Sequence, residues 1–80
     1  MPRIIDGEKC NLVGEKVKFY RKQKGLSQKQ LSEKLETVAV YICRGSISRI
    51  EDGSRTVTDI ELYGLSVILG VPIQALFPDH

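Results

Sequence analysis

The sequence predicts a single all-α domain. No stretch alternates apolar and polar residues for long enough to indicate a strand, whereas Gly, Asn, Ser and Thr divide the chain into short helical segments. At 80 residues, the chain has room for one domain, whose core is small because a chain of this length buries only about 60% of its unfolded surface. We expect an N-terminal arm over residues 1–10 and the domain over residues 11–80.

The first helix is expected to run from an Asn11 cap to about Lys24, with Gly25 in the position that ends helices. Its apolar stripe comprises Val13, Val17 and Tyr20.

Ser27 is the expected cap of the second helix. Gln30 follows three residues later, so the sequence SQKQ predicts a capping box in which each residue satisfies a backbone N–H of the other. Leu31 and Leu35 then lie on one face.

Three further helices are predicted. A third runs from near Cys43 to Gly53, and a fourth from a Thr58 cap to Gly70. Pro72 suits the first turn of a last short helix through Phe77.

Composition excludes several classes of protein. No apolar run approaches the roughly 20 residues that a bilayer span needs, and the first residues lack the features of a secretory signal, so we expect a cytoplasmic protein. Cys10 and Cys43, with one histidine at the last residue, match no zinc-ligand spacing, so no metal and no cofactor are expected. Without a nucleophile–base pattern or a glycine-rich phosphate loop, an enzyme is not predicted. No small-molecule ligand is indicated.

The charge is uneven along the chain, although the net charge is only +2. Residues 16–55 carry ten Lys or Arg against four acidic residues, whereas both flanking segments are acidic. Solvated lysines on the first helix explain part of this excess. The arginines at positions 44, 49 and 55 favour an acidic partner.

The second and third helices, with a turn between them, have the pattern of a helix-turn-helix, in which the second helix of the pair enters the DNA major groove. With Ile47 and Ile50 directed inward at about 100° per residue, Gly45, Ser48, Arg49 and Asp52 are directed outward. Arg44 and Ser46 flank this face near the start of the helix. The fork of an arginine can donate two hydrogen bonds to guanine.

Three blocks, GLSQKQLSEKL, ISRIEDG and ELYGLSVILGVPIQALF, resemble the phage Cro/repressor-like helix-turn-helix family, the xenobiotic-response-element-type transcriptional regulators. The resemblance covers roughly residues 13–77. It implies a five-helix bundle of the lambda-repressor-like DNA-binding type. It also implies an inward-tilted ion pair between Arg21 and Glu51, which the helical wheels allow independently.

The expected contacts with double-stranded DNA fall into two groups, which combine this resemblance with the position of each residue on its helix or in the following turn. Phosphate contacts are expected from the start of the second helix and the turn after the third: Ser27, Gln28, Lys29, Ser54, Arg55 and Thr56. Base-facing positions are expected at Arg44, Gly45, Ser46, Ser48 and Arg49.

The connection over residues 37–42 departs from the family, which has a shorter turn there. Either the second helix continues through Val38, or the turn bulges with Val40 and Tyr41 exposed or tucked against the core. At the end of this connection, Cys43 is interpreted as a small capping-position residue or, less favoured, as a redox switch at a helix N-terminus.

The fourth helix has a second apolar side, formed by Ile60, Tyr63 and Val67, which predicts a homodimer. Leu62, Leu65 and Leu69 form the inward stripe of this helix, and a helix that is apolar on two sides must be covered on both. The N-terminal arm, through Ile4 and Ile5, is the alternative cover. The dimer candidates are Ile60, Tyr63 and Val67, with Phe19 of the first helix adding to the surplus.

The predicted function is that of a small transcriptional regulator that binds specific DNA sequences through its third helix. The alternative is a protein-interaction module, such as an antitoxin or an anti-regulator, built on the same bundle.

Overall fold

A computed structural model describes residues 9–78. Within this range the chain is all helical, as predicted, and contains no strand. The α-helices are α1 (Gly14–Gln23), α2 (Gln28–Glu36), α3 (Arg44–Asp52) and α4 (Asp59–Leu69), followed by a 3₁₀ helix at Ile73–Leu76.

The predicted fifth helix is thus a four-residue 3₁₀ helix rather than an α-helix. Pro72 precedes it and Pro78 follows shortly after its end. Proline has no backbone N–H to donate, and the residue before a proline is biased away from helical conformation. The segment therefore has room for little more than one turn.

The core places α3 against both α1 and α2, while α4 packs on α2 and α1. Helix α3 is consequently supported from behind by two helices, and its opposite face remains open to solvent. Leu62, predicted to be inward, is only partly buried, as is Tyr20. The buried apolar residues are Val13, Val17, Leu31, Leu35, Val40, Ile42, Ile47, Ile50, Leu65, Leu69 and Leu76.

Two helices begin with complete capping boxes. Ser27 Oγ accepts from the backbone N–H of Gln30 over 3.0 Å, and Gln30 Oε1 accepts from the N–H of Ser27 over 2.8 Å. Thr58 and Glu61 make the same reciprocal pair at the start of α4. Each box satisfies two backbone donors that a helix start leaves free.

All four helices end in the same hydrogen-bonded turn, with a residue of positive φ. The residue of positive φ is Gly25 after α1, Gly53 after α3 and Gly70 after α4, and glycine adopts this conformation without steric strain. After α2 the residue is Ala39, with φ of 62°. There the N–H of Val40 bonds the carbonyl of Leu35, as in a Schellman motif.

Of the two conformations predicted for the connection between α2 and α3, the structure has the bulged turn. Helix α2 ends at Glu36 and does not continue through Val38. Val40 and Ile42 are buried, while Tyr41 between them is 76% exposed. A Cβ on Gly64 of α4 would lie 2.7 Å from Val40 Cγ2, so this glycine makes room for the connection.

Asn11 joins the start of α1 to the end of α3. Its Oδ1 accepts from the backbone N–H groups of Val13 and Gly14, at 3.1 and 2.8 Å. Its Nδ2 donates to the carbonyls of Ile50 and Arg55, at 3.1 and 2.7 Å. A side chain at Gly14 would overlap the Ile50 carbonyl oxygen, so the glycine permits this close approach.

The last two residues of the predicted arm pack on the same region. The backbone N–H of Cys10 donates to the carbonyl of Gly53 over 2.8 Å, and the Lys9 side chain lies beside Gly53. The rest of the predicted arm, with Ile4 and Ile5, lies outside the described residues. None of the helices in residues 9–78 is long and apolar enough to cross a membrane.

Candidate nucleic-acid interface

Helix α3 presents a polar, basic face to solvent. Ile47 and Ile50 are fully buried on the side that faces α1 and α2. On the other side Arg44, Gly45, Ser48 and Arg49 are exposed, and Ser46 is partly buried. The two buried isoleucines therefore orient Gly45, Ser48 and Arg49 away from the core, with Arg44 and Ser46 on the flanks of the exposed face.

The start of α2 and the open face of α3 form one cleft of about 570 Å³. Its position brings the phosphate candidates at the N-terminus of α2 next to base-facing candidates of α3. The residues that line it are Ser27, Gln28, Lys29, Arg44, Gly45 and Ser48. A helix N-terminus presents free N–H groups and a partial positive charge, both of which favour an anion.

A buried ion pair between Arg21 and Glu51 holds the start of α2 and helix α3 in this arrangement. Arg21 Nε lies 2.6 Å from Oε2 of Glu51, and Arg21 Nη2 lies 3.0 Å from Oε1. Arg21 Nη1 also donates to the carbonyl of Leu26 over 2.8 Å. Gln28 Nε2 donates to Glu51 Oε1 over 3.1 Å. The carboxylate of Glu51 thus ties α1 and the start of α2 to α3.

Comparison with known proteins decides the family. A family model described as a helix-turn-helix domain matches residues 14–78. The chain belongs to this family. Helices α2 and α3, interpreted from the sequence as the helix-turn-helix pair, lie within the matched residues. No curated protein matches the sequence.

Two solved structures share this helix-turn-helix fold. The DNA-binding domain of BldD is 30% identical, with a TM-score of 0.72, and the match covers 92% of this chain and 100% of that one. The hydroxypropylphosphonic acid epoxidase of S. wedmorenis is 22% identical, with a TM-score of 0.73. That match covers 91% of this chain but only 36% of the enzyme, and at this identity it shows the fold alone.

The turn after the helix-turn-helix contains an ion pair that the sequence interpretation missed. Arg55 Nη1 and Nη2 lie 2.9 and 2.8 Å from the two carboxylate oxygens of Glu61, and Nη1 also donates to the carbonyl of Thr56. The Arg55 guanidinium, by its hydrogen bonds and charge, lowers the pKa of Glu61. The guanidinium of Arg55, which was predicted to contact a phosphate, is therefore engaged by a residue of its own domain. Ser54 and Thr56 on either side are exposed.

Gly45 of α3 lines the cleft at the start of α2 without a structural requirement for glycine. It is part of α3 and lacks the positive φ of the glycines that end helices. A Cβ built there meets no heavy atom within 4 Å. Glycine inside a helix costs roughly 0.5–1 kcal/mol relative to alanine. Neither its backbone conformation nor a close neighbour among residues 9–78 requires a glycine at this position.

Cys43 occupies the cap position of α3 but makes no capping hydrogen bond through its side chain. Its exposed thiol lies 3.3 Å from Ser46 Oγ. The Ser46 hydroxyl lowers the pKa of the thiol, and the polar backbone N–H of Ser46 acts in the same direction. The redox role considered from the sequence stays a hypothesis. Across residues 9–78, no group of three His, Cys, Asp or Glu residues is placed to hold a metal ion.

The second apolar side of α4 is open to solvent in the single chain. Ile60, Tyr63 and Val67 are 69%, 64% and 48% exposed. Phe19 on α1 is 50% exposed and packs edge-to-face on Tyr20, with ring centroids 5.1 Å apart. The described residues leave this side of α4 uncovered.

Proposed function

We propose that this chain is a sequence-specific, double-stranded-DNA-binding transcriptional regulator of the Cro/repressor-like, xenobiotic-response-element type. The observation that carries the proposal is the cleft in which the N-terminus of α2 adjoins the exposed, basic face of α3. The match to the DNA-binding domain of BldD supports it. Residues 11–80 act in this proposal as one DNA-binding domain, without enzymatic activity.

Helix α3 enters the major groove, since a helix about 10–12 Å across fits a groove about 12 Å wide. Arg44 and Arg49 then reach base edges, where their planar forks suit guanine O6 and N7. Gly45 and Ser48 keep the surface low between them, so that the backbone of α3 approaches the bases closely. Ser46 lies at the edge of this contact.

Phosphate contacts position the protein without reading sequence. Gln28 retains one amide N–H for a phosphate, because only one of its two amide hydrogens is engaged by Glu51. Lys29 adds charge, and the backbone N–H groups at the Ser27 end of α2 add their dipoles. The turn at Ser54–Thr56 contacts the backbone at the other end of α3. In this turn the exposed hydroxyls of Ser54 and Thr56 are better placed for a phosphate contact than the Arg55 guanidinium, which is engaged by Glu61.

Selection of bound duplexes from a random DNA pool, at a stated salt concentration, tests the proposal directly. A recovered motif supports it, and recovery of unrelated sequences contradicts specific binding. On the selected duplex, log affinity is expected to fall linearly with log salt, at a slope near −0.9 for each phosphate neutralised. The alternative, a protein-interaction module, is favoured only by the apolar side of α4. Binding to an apolar protein partner would not produce this linear fall of log affinity with log salt.

A homodimer through α4 is part of the proposal. Ile60, Tyr63 and Val67 form an exposed apolar side that a second copy of the chain would cover, and a two-fold pair places two groove helices about 34 Å apart. Sedimentation at micromolar concentration should show a dimer that Tyr63→Glu or Val67→Glu dissociates. Gln23→Glu, at the exposed end of α1, adds the same charge elsewhere and should leave it intact. A monomer at every concentration, both free and on DNA, contradicts the dimer.

A cytoplasmic location completes the proposal. Cys10 and Cys43 are free thiols near opposite ends of α3, so they are not placed for a disulfide within the chain. Small domains exported to oxidising compartments usually rely on such bonds.

A further inference from the structure

We propose that Tyr41 is a DNA-phosphate contact, presented by the long connection between α2 and α3. This inference rests on the DNA-binding function proposed above and assigns a role to a residue that the helix-turn-helix pattern leaves out. The phenol hydroxyl donates a hydrogen bond to a backbone phosphate beside the base-facing end of α3.

The connection holds Tyr41 in a fixed position while leaving its side chain free. Val40 on one side and Ile42 on the other are both buried in the core. The Ser32 hydroxyl donates to the Ile42 carbonyl over 2.6 Å, which ties this backbone to α2. Between these anchors the Tyr41 side chain is 76% exposed. Because the backbone on both sides of Tyr41 is already held, binding through this residue has to order one side chain and no loop.

Tyr41 lies on the side of the molecule that faces DNA in the proposed complex. It lines a cleft of about 750 Å³ together with Lys29, Arg44 and Ser46, residues already assigned to phosphate or base contact. Three residues of chain span at most about 10–11 Å, so Tyr41 is close to Arg44 at the start of α3.

The charges around the cleft favour a phosphate on one side of it. Glu33 and Glu36 line its α2 wall and repel an anion, whereas Lys29 and Arg44 attract one. The Tyr41 phenol lines the same cleft and is a neutral donor, from which a phosphate held by Lys29 and Arg44 can accept a hydrogen bond. Ile42, the aliphatic residue of this lining, is buried, so the cleft is not an apolar docking surface for a protein.

The test is Tyr41→Phe, which removes only the hydroxyl, with Tyr20→Phe as the matched control, at a tyrosine of α1 that packs against the core. Binding is measured by fluorescence anisotropy on a duplex selected from the random pool and on a scrambled duplex, over a series of salt concentrations. Tyr41→Phe should raise Kd on both duplexes by roughly 3- to 10-fold for each protomer bound, as expected for one lost hydrogen bond per protomer. Tyr20→Phe should leave both values unchanged. Because the Tyr41 side chain is exposed, Tyr41→Phe should have the same thermal unfolding midpoint as the wild-type protein.

The salt dependence separates this contact from a charged one. Tyr41→Phe should leave the slope of log affinity against log salt unchanged, whereas Lys29→Ala should reduce its magnitude by about 1 for each protomer bound. An unchanged Kd for Tyr41→Phe, or a loss confined to the selected duplex, overturns the assignment while DNA binding stands. If the wild-type protein binds no duplex, the proposed function fails and this inference fails with it.

Discussion

The side-chain amide of Gln28 donates a hydrogen bond to Oε1 of Glu51, and the same oxygen accepts from Nη2 of Arg21. One buried carboxylate thus connects a residue of the candidate DNA interface to the ion pair that joins α1 and α3. The position of the Gln28 side chain depends on this pair. The pair is consequently relevant to both folding and binding.

Replacing Glu51 with alanine is expected to destabilise the domain by about 3–5 kcal/mol, because it leaves the Arg21 guanidinium buried without its counter-charge. Urea or thermal unfolding measures the loss, which is large for so small a domain. Glu33→Ala, at an exposed glutamate of α2, should change stability by less than about 0.5 kcal/mol. A thermal midpoint for Glu51→Ala within error of the wild type would show that the pair contributes little.

Arg44→Ala and Arg49→Ala are expected to weaken specific DNA binding more than non-specific binding. Base-edge contacts distinguish sequences, at about 1–3 kcal/mol for each bidentate pair, whereas phosphate contacts do not. Gln28→Ala should weaken binding to selected and scrambled duplexes alike. Equal losses on the two duplexes for the arginine variants would remove Arg44 and Arg49 from the base-reading role.

Gly45→Ala is expected to separate stability from binding. The alanine meets no neighbour within 4 Å and should raise the free energy of unfolding by roughly 0.5–1 kcal/mol, while weakening DNA binding because a methyl group then enters the close contact. Denaturant unfolding and duplex titration measure the two effects. Gly14→Ala, which overlaps the Ile50 carbonyl oxygen, should instead lower stability by about 1–3 kcal/mol. Undiminished DNA binding by Gly45→Ala would argue against close approach at this position.

Ala39→Gly is expected to stabilise the domain by about 0.5–1 kcal/mol, because a left-handed backbone conformation strains alanine but not glycine. Ala75→Gly, in the 3₁₀ helix and without a positive φ, should lower stability instead. Chemical denaturation of the two variants measures the difference. A loss of stability at position 39 would mean that the turn after α2 does not need its positive φ.

The Arg55–Glu61 pair predicts a stability that declines in acid. The pKa of Glu61 is lowered in the folded state, so its contribution is fully present above the unfolded-state pKa, about 4.3, and is lost as pH falls through the folded-state value. Glu61→Gln should therefore reduce stability at neutral pH and flatten its decline below about pH 4.5. Glu36→Gln, at an exposed position, is the control. A parallel acid decline in Glu61→Gln and wild type would contradict the pair's contribution.

The helix boundaries were largely predictable because they depend on residues close together in sequence. The capping box of Ser27 and Gln30 and the terminal glycines at 25, 53 and 70 act within one helical turn. The buried side of α3 was predictable for the same reason, since Ile47 and Ile50 fix it by their spacing. The sequence by itself therefore determined the four helices and the face that α3 exposes.

Long-range packing decided what the local pattern left open. Asn11 contacts carbonyls 39 and 44 residues away, and Gly14 is required by the approach of α3, so neither role is visible in neighbouring residues. Alanine has no preference for a left-handed turn, so Ala39 gave no sign that α2 ends before it. The tertiary structure buries Val40 against α4, because Gly64 has no side chain to occupy that space, and leaves Tyr41 exposed.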